Sequence, residues 1–309
     1  MAVRTSASAY LDYVKESQFG VAIGTKTRAF GMNEKVNSWS ISNNQIALKE
    51  LFQSEPSKFA YGRTDIAVGV GFTLSNPWWL DSIFGSISTS LGTPNTHTFT
   101  RTKIPNTYDI EIGMDLSGGD VVRNMLGCVV SSAVLSSSIN GLVDCTAEIK
   151  SGKEQAVGST LATPIVDDQQ TPYTFVESSI KLGTNVIAEI QSFRLNINQN
   201  ATLEYEQGKN EAIAAYTGEF NASGSFNKAY VDNEMYNKVL NRTEDATVEF
   251  LFTNGESGDD LKSIKLIGTG FGPSQHGSSV TPVNPIFEDV NWRIRKMTVE
   301  AMNDASGAP

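Results

Sequence analysis

The stretch DIAVGVGFTL (65–74) decides the fold class. Ile66, Val68, Val70, Phe72 and Leu74 fall on every second position, and Ala67, Gly69, Gly71 and Thr73 fill the places between. Side chains on an extended chain alternate between two faces, so this pattern predicts a strand with one bulky apolar face and one flat face of small residues. The alternation recurs further along. YDIEIGM (108–114) sets Tyr108, Ile110, Ile112 and Met114 against Asp109 and Glu111. SFRLNIN (192–198) sets Phe193, Leu195 and Ile197 against Arg194 and Asn196. ATVEFLF (246–252) sets Val248, Phe250 and Phe252 against Thr247, Glu249 and Leu251. Each predicts a half-buried strand with a polar face. Near the C-terminus Val290, Trp292 and Ile294 share one parity while Met297 and Val299 share the other, which predicts a β-bulge near Arg295–Lys296.

Helix signals are few. Asn76-Pro77 reads as a cap and first-turn proline opening WWLDSIFG (78–85). Asp232 can cap NEMYNKVLN (233–241), where Met235, Tyr236, Val239 and Leu240 fall at helical spacing. Helices this short must lie against a sheet. They belong to an internal repeat: VNSW (36–39) matches IQSF (190–193), Ala60-Tyr61 matches Ala215-Tyr216, Gly69 matches Gly224, and Leu80 and Phe84 match Met235 and Val239. Strand, polar loop, strand, short helix and strand follow in the same order twice. The expected architecture is mainly β, with duplicated β-sandwich or barrel domains that each carry one short flanking α-helix. The expected divisions are an N-terminal arm (1–16), a first domain (17–153), a linker (154–175), a second domain (176–304) and a C-terminal tail (305–309).

Composition narrows the function. Over 309 residues the chain is 39% hydrophobic and 19% charged, enough apolar surface for a core. Net charge is −10, the pI is about 4.8, and the densest basic stretch is only Arg293, Arg295 and Lys296. Tight binding of a polyanion through phosphate contacts needs clustered cations and is not expected. The opening MAVRTSASAYLDYVKES has no signal-peptide core, and Ile66–Leu74 is too short to span a bilayer, so no membrane insertion or export is expected. A turn at Asn140-Gly141 sets Cys145 against Ser136 rather than Cys128, which predicts two buried thiols.

No reaction centre is legible. His97 and His276, the two histidines, lie in Thr/Ser/Gly/Pro-rich stretches and are expected in exposed loops. With two cysteines in unrelated segments they form no zinc pattern. GTGFG (268–272) lacks the glycine spacing and following helix of a dinucleotide loop, and is expected to end a strand. Asp167-Asp168 and Asp259-Asp260 lack calcium-loop alternation and read as turn residues. No catalytic residue, cofactor or metal is expected.

Five segments, in their order, carry a resemblance: YVKESQFGVAIG (13–24), GCVVSSAVLSSSINGLVDCTAEIKSGK (127–153), SSIKLGTNVIAEIQSFRLNINQN (178–200), AYTGEFNASGSFNKAYVDNEMYNKVLN (215–241) and DVNWRIRKMTVEAMND (289–304). The chain resembles the major tail tube proteins of tailed bacteriophages and archaeal tailed viruses. The resemblance implies tail-tube-type sandwich domains, six to a ring, with rings stacked into the hollow virion tail that conducts the genome during ejection. It implies synthesis in the host cytoplasm and, as partners, other copies of the chain and the tape-measure, terminator and baseplate proteins. DNA would pass through the lumen without specific binding. Two domains per chain would give a trimeric, pseudo-hexameric ring; one functional unit per chain would give a hexamer.

Roles for residues follow from that picture. The Ile66–Leu74 strand is expected to offer an edge to a neighbour's sheet. One of Trp78 and Trp79 is expected to face inward and the other a neighbouring subunit. Two loops are long for hairpin connections: 43–58, with Asn43, Leu48 and Phe52, and 198–214, with Leu203, Tyr205 and Glu206. Both are expected to reach an adjacent ring. Asp109, Glu111, Glu148, Glu219 and Glu249, placed on polar strand faces, are candidate lumen acids that would repel phosphates. Other readings are a baseplate or capsid-decoration protein, or a cell-surface adhesion module.

Overall fold

A computed structural model describes residues 6–52, 54–116, 119–158, 165, 171–279 and 285–305. The first half begins with β1 (Ser6–Lys15), β2 (Arg28–Ala29), β3 (Met32–Ser42), β4 (Ile46–Leu48), β5 (Lys58–Ala60) and β6 (Asp65–Thr73). It continues with α1 (Asp81–Phe84), β7 (Gly85–Ser90), β8 (Asn95–Arg101), β9 (Tyr108–Leu116), β10 (Val121–Ser138), β11 (Asp144–Ser151) and β12 (Lys153–Gly158). The second half begins with β13 (Ser178–Leu182), β14 (Asn185–Val186), β15 (Ile190–Asn198), β16 (Thr202–Tyr205) and β17 (Ala212–Tyr216). It ends with β18 (Asn221–Ala229), α2 (Glu234–Leu240), β19 (Asp245–Thr253), β20 (Ser263–Ser279) and β21 (Phe287–Asn303).

The fold is mainly β, and its strand order repeats. The first half pairs β1-β9-β10-β11-β6-β3. The second pairs β13-β19-β20-β21-β18-β15, again antiparallel throughout. Among the described residues these pairings branch but never close into a barrel. Each sheet instead wraps over its own core. Tyr13 of β1 and Phe72 of β6 are far apart in pairing order, yet both rings meet Phe30, at 4.5 and 5.8 Å. In the second half Phe193 of β15 stacks on Phe252 of β19 at 5.7 Å.

The bends that permit wrapping sit at matched glycines. Gly127 in β10 and Gly270 in β20 adopt left-handed φ values of 64° and 70°. Just beyond them the pairing register shifts, between Val130 and Ser132 in one hairpin and between Pro273 and Gln275 in the other. The parity change expected at Arg295–Lys296 occurs, but not through an inserted residue. Register runs unbroken from Ser263–Met302 to Pro273–Trp292, and β20 turns over at Gly270 together with β21. Aligning the halves on these glycines places Trp39 with Leu195 and Val68 with Gly224. The Gly69–Gly224 match is therefore one residue out of register, and VNSW–IQSF two.

Other expectations change. The 138–141 turn, closed by Gly141 N–H on the Ser138 carbonyl at 2.8 Å, sets Cys145 opposite Leu135, one residue from the expected register. A one-residue slip moves every side chain to the other face, so Cys145 points into the core; both cysteines are buried and free. Ser6–Lys15, read as an arm, is a strand whose Leu11 and Tyr13 enter the core. Lys153–Gly158, read as the start of a linker, pairs with β10. Most of the remaining linker, including Asp167-Asp168, and residues 306–309 of the tail lie outside the described residues. Trp78 and Trp79 are both buried, so neither is left for a neighbour. Arg28 caps the Trp78 ring at 4.8 Å and His97 meets its edge at 4.9 Å. The first helix starts as a 3-10 turn over Trp78–Leu80, with Asn76 Oδ1 accepting the Trp78 N–H at 3.3 Å. No helix among the described residues is long and apolar enough to cross a membrane.

Candidate functional site

Two pairings join the halves. Ser132–Ser138 of β10 pair with β15, and Val299–Asn303 of β21 pair with β8. The first makes one continuous sheet of eight strands in the order β3-β6-β11-β10-β15-β18-β21-β20. This places β6 in the interior of the sheet, between β3 and β11, so the Ile66–Leu74 strand has no edge to offer.

One face of the sheet is core. The other is lined with small polar groups. A single row across it reads Thr73, Asp144, Ser136, Arg194, Ser225, Asn291 and Gln275. The next but one reads Gly69, Glu148, Ser132, Asn198 and Asn221. Charges on this face are mixed: Asp144, Glu148 and Asp289 stand among Lys150, Arg194 and Arg293. Cross-strand side-chain bonds tie its strands together, from the Asn291 amide to Gln275 at 3.0 Å and from the Asn227 amide to the Asp289 carboxylate at 2.8 Å. Sequence reasoning missed these Ser and Asn positions. Their signal was present in the polar parity of SSAVLSSS and SFRLNIN, but it could not say which polar faces share a sheet.

The sheet has two unpaired edges among the described residues. β3 pairs only with β6. β20 pairs on both sides as far as Phe271, where β19 stops, and beyond that only with β21. β3 is open along its length, with Ile41 57% exposed.

The candidate loop residues divide. The β4–β5 hairpin holds Asn43, Leu48, Leu51 and Phe52 in solvent, Phe52 at 97% exposure. Its counterpart, β16–β17, folds back on the first half. Ala201 and Ala215 bury against Val129, with Leu203 and Phe19 beside them. Lys150 Nζ donates to the Ala201 carbonyl at 2.7 Å, and the Gln199 side chain donates to the Ser82 carbonyl at 2.9 Å. Tyr205 donates to Asp65 at 3.1 Å under the Arg63 guanidinium. Leu203 and Tyr205 therefore serve this chain's own packing. Glu206 stays exposed, paired with Lys209 at 2.6 Å.

Of the five candidate acids, Glu148 alone stands on an exposed position of the eight-stranded face. Asp109 is completely buried, paired with Lys26 at 2.7 Å and accepting the Ile23 N–H at 2.6 Å. The segment before β2 covers what strand parity reads as a polar face. Glu111 accepts the Tyr10 hydroxyl at 2.6 Å and Glu249 pairs with Lys181 at 3.2 Å, both on strands outside the eight. Glu219 is exposed but precedes β18 rather than lying on a strand.

Both histidines lie on strands. His97 is buried between Thr89 Oγ1 and Asn303 Oδ1, each at 2.9 Å, and burial lowers its pKa against the opposing Asn303 bond. His276 sits 2.6 Å from Glu288, which Lys228 also pairs at 2.8 Å. GTGFG is interior to β20, which continues to Ser279 because the polar residues after it pair with β21. Burial pushes the Cys128 and Cys145 thiols far up, which leaves them poor nucleophiles. Among the described residues no three His, Cys, Asp or Glu side chains gather to hold a metal. The arrangement is one of surfaces and edges. No curated protein matches the chain. The family model described as phage tail tube protein matches residues 6–293, which take in seven of the eight strands of the joined sheet and the first part of β21, and the chain belongs to that family.

Proposed function

We propose that three chains close into a ring with pseudo-sixfold symmetry, each contributing the fold twice, and that rings stack into the hollow tail tube through which the viral genome leaves. The eight-stranded sheet carries this reading. Its outward face of Ser, Thr, Asn and Gly, with acids and bases interspersed, offers no row of cations to a passing polyanion. Phosphates would meet mostly neutral hydroxyls and amides. Glu148 is the candidate lumen acid on this face, and Glu148→Lys in infectious particles is expected to slow genome ejection. An unchanged rate would remove it from that role.

Stacking needs heterologous contacts that propagate without closing, whereas lateral contacts of the same kind close on themselves into a ring. The exposed apolar tip of β4–β5, with Leu51 and Phe52, suits a contact that an adjacent ring covers. The chain then acts as a non-catalytic virion component, meeting tape-measure, terminator and baseplate proteins along and at the ends of the tube. Electron microscopy of the purified protein, with mass measurement of isolated rings, tests the reading. Hollow tubes built from three-chain rings are expected. Closed oligomers that never stack would favour a baseplate part, and a six-chain ring would refute the trimer.

A further inference from the structure

We propose that Lys26 and Asp109 join in an isopeptide bond that forms spontaneously in the folded chain and ties the segment between β1 and β2 to β9. The bond lies within one chain and does not depend on the ring reading above.

The geometry suits the reaction. Lys26 Nζ stands 2.7 Å from Asp109 Oδ2, with the two side chains 6% and 0% exposed. An amine that close to a carboxyl oxygen is within reach of the carboxyl carbon, near the roughly 3–3.5 Å from which attack proceeds. Both partners are held in place. Asp109 lies in β9, opposite Val14 of β1. The backbone of Ile23 clamps the two side chains: its N–H donates to Asp109 Oδ2 at 2.6 Å, and its carbonyl accepts from Lys26 Nζ at 2.9 Å. Holding amine and carboxyl together raises their effective concentration far above any in solution, which drives condensation.

The ion pair also carries more polar atoms than its surroundings satisfy. An ammonium has three N–H donors, and among the described residues Lys26 Nζ meets two acceptors, Asp109 Oδ2 and the Ile23 carbonyl. Asp109 Oδ1 is buried and accepts no hydrogen bond among the described residues. A buried group left so is costly. An amide keeps one oxygen and one N–H, the number of groups that Ile23 engages. The surplus oxygen and two surplus protons together make one water. A second buried pair shows the contrast. Glu288 has one oxygen against Lys228 and the other against His276, so neither is spare, and this pair is expected to stay ionic.

The step balances without oxidant, reductant or cofactor. Burial favours the uncharged form of the pair, so a proton passes from Nζ to Oδ1. The Nζ lone pair attacks Cγ and the N–C bond forms. A second nitrogen proton moves to Oδ1, the Cγ–Oδ1 bond breaks, and its electron pair leaves with water. Near this carbon, burial raises the pKa of Glu16, opposed by bonds from Gly127, Thr107 and Gly20 and assisted by the Asp109 charge. A proton held on Glu16 keeps a second negative charge away from the attack. The product closes a covalent loop from residue 26 to residue 109, around Trp78–Phe84 of the core, and restricts the unfolded chain as a disulfide would, but resists reductant.

The test is the mass of the full chain after denaturation. Wild-type protein is expected to weigh one water less than its sequence, and Lys26→Arg is expected to restore the sequence mass. Asp109→Asn is expected to lose one ammonia instead, since the amide nitrogen then departs. A tryptic digest of the wild type is expected to show no cleavage after Lys26 and a branched peptide joining it to Asp109. Folded wild-type protein at full sequence mass, with Lys26 cleaved by trypsin after denaturation, would overturn the bond. So would a water loss that survives Lys26→Arg. The wild-type mass decides the matter even where a variant fails to fold.

Discussion

β3 and β15 occupy the same place in the two halves and end in different surroundings. Leu195 and Ile197 are wholly buried because β10 runs alongside them, whereas Ile41 stands largely in solvent. Both strands alternate apolar and polar residues, so composition does not separate them. What separates them is whether a complementary edge lies within reach of the same chain. The largest expected effect exploits this. Ile197→Asp would bury an unpaired carboxylate and is expected to cost more than ~4 kcal/mol, enough to unfold most of the chain near physiological temperature. Ile41→Asp, the same chemistry at the exposed counterpart, is expected to leave thermal unfolding of the monomer within ~0.5 kcal/mol of wild type. Equal losses at both sites would break the comparison.

A second contrast lies deeper. Phe72 and Cys145 face each other in the first half, and their counterparts Lys228 and Glu288 form a buried ion pair in the second. Lys228→Met would leave Glu288 with His276 as its remaining partner and is expected to cost ~3 kcal/mol, read from denaturant midpoints. Adding Glu288→Leu restores the apolar arrangement of the first half and is expected to recover most of that loss. A double variant as unstable as the single one would mean that the pair is not the source.

The third contrast is electrostatic. Asp12 lies opposite Glu111 on β1 and β9, where the second half sets Lys181 against Glu249. Burial, helped by the Glu111 charge and opposed by the Ile165 N–H, raises the Asp12 pKa from 3.8 to about 6. A raised acid is bound to its proton more tightly in the folded state. Its stabilising contribution is therefore complete below about pH 3.8 and is lost as pH rises through about 6. The difference is worth ~3 kcal/mol at full ionisation. Asp12→Asn is expected to flatten that part of the stability profile between pH 4 and 7 and to raise the melting temperature at neutral pH. A profile unchanged by the substitution would place the titration elsewhere.

These contrasts also mark what the residues alone could tell. Period-two runs such as Ile66–Leu74 named the strands and most of the core, and the repeat was visible in the order of elements. Register was not. It depended on the left-handed Asn140 and on the paired turn at Gly270, neither of which leaves a periodic trace. The burial of Asp109 was hidden for a related reason. Alternation tells that Asp109 and Ile110 point to opposite faces, but not that residues 23–26 cover one of them. The small polar face was written in Ser and Asn positions whose shared sheet emerges only from the β10–β15 joint. His97 and His276 looked like loop residues because Thr, Ser and Gly mark loops on average, while here they build β8 and β20.

The last contrast, with the smallest difference in stability between its two members, concerns the two hairpins. β16–β17 is anchored by buried alanines, but β4–β5 holds Phe52 in solvent with φ at 73°, a left-handed conformation that a bulky residue adopts at a cost of about 1 kcal/mol. Glycine there relieves that cost, so Phe52→Gly is expected to raise monomer stability by up to ~1 kcal/mol. If the ring chemistry alone mattered, assembly would follow stability and improve. If the tip is a stacking contact, the gain in the monomer comes with a loss in the polymer: rings of unchanged mass and tubes that shorten or fail to form. Sedimentation of assembled protein beside monomer melts separates the outcomes, since a stabilised monomer that still builds full-length tubes would show that Phe52 is not a stacking contact.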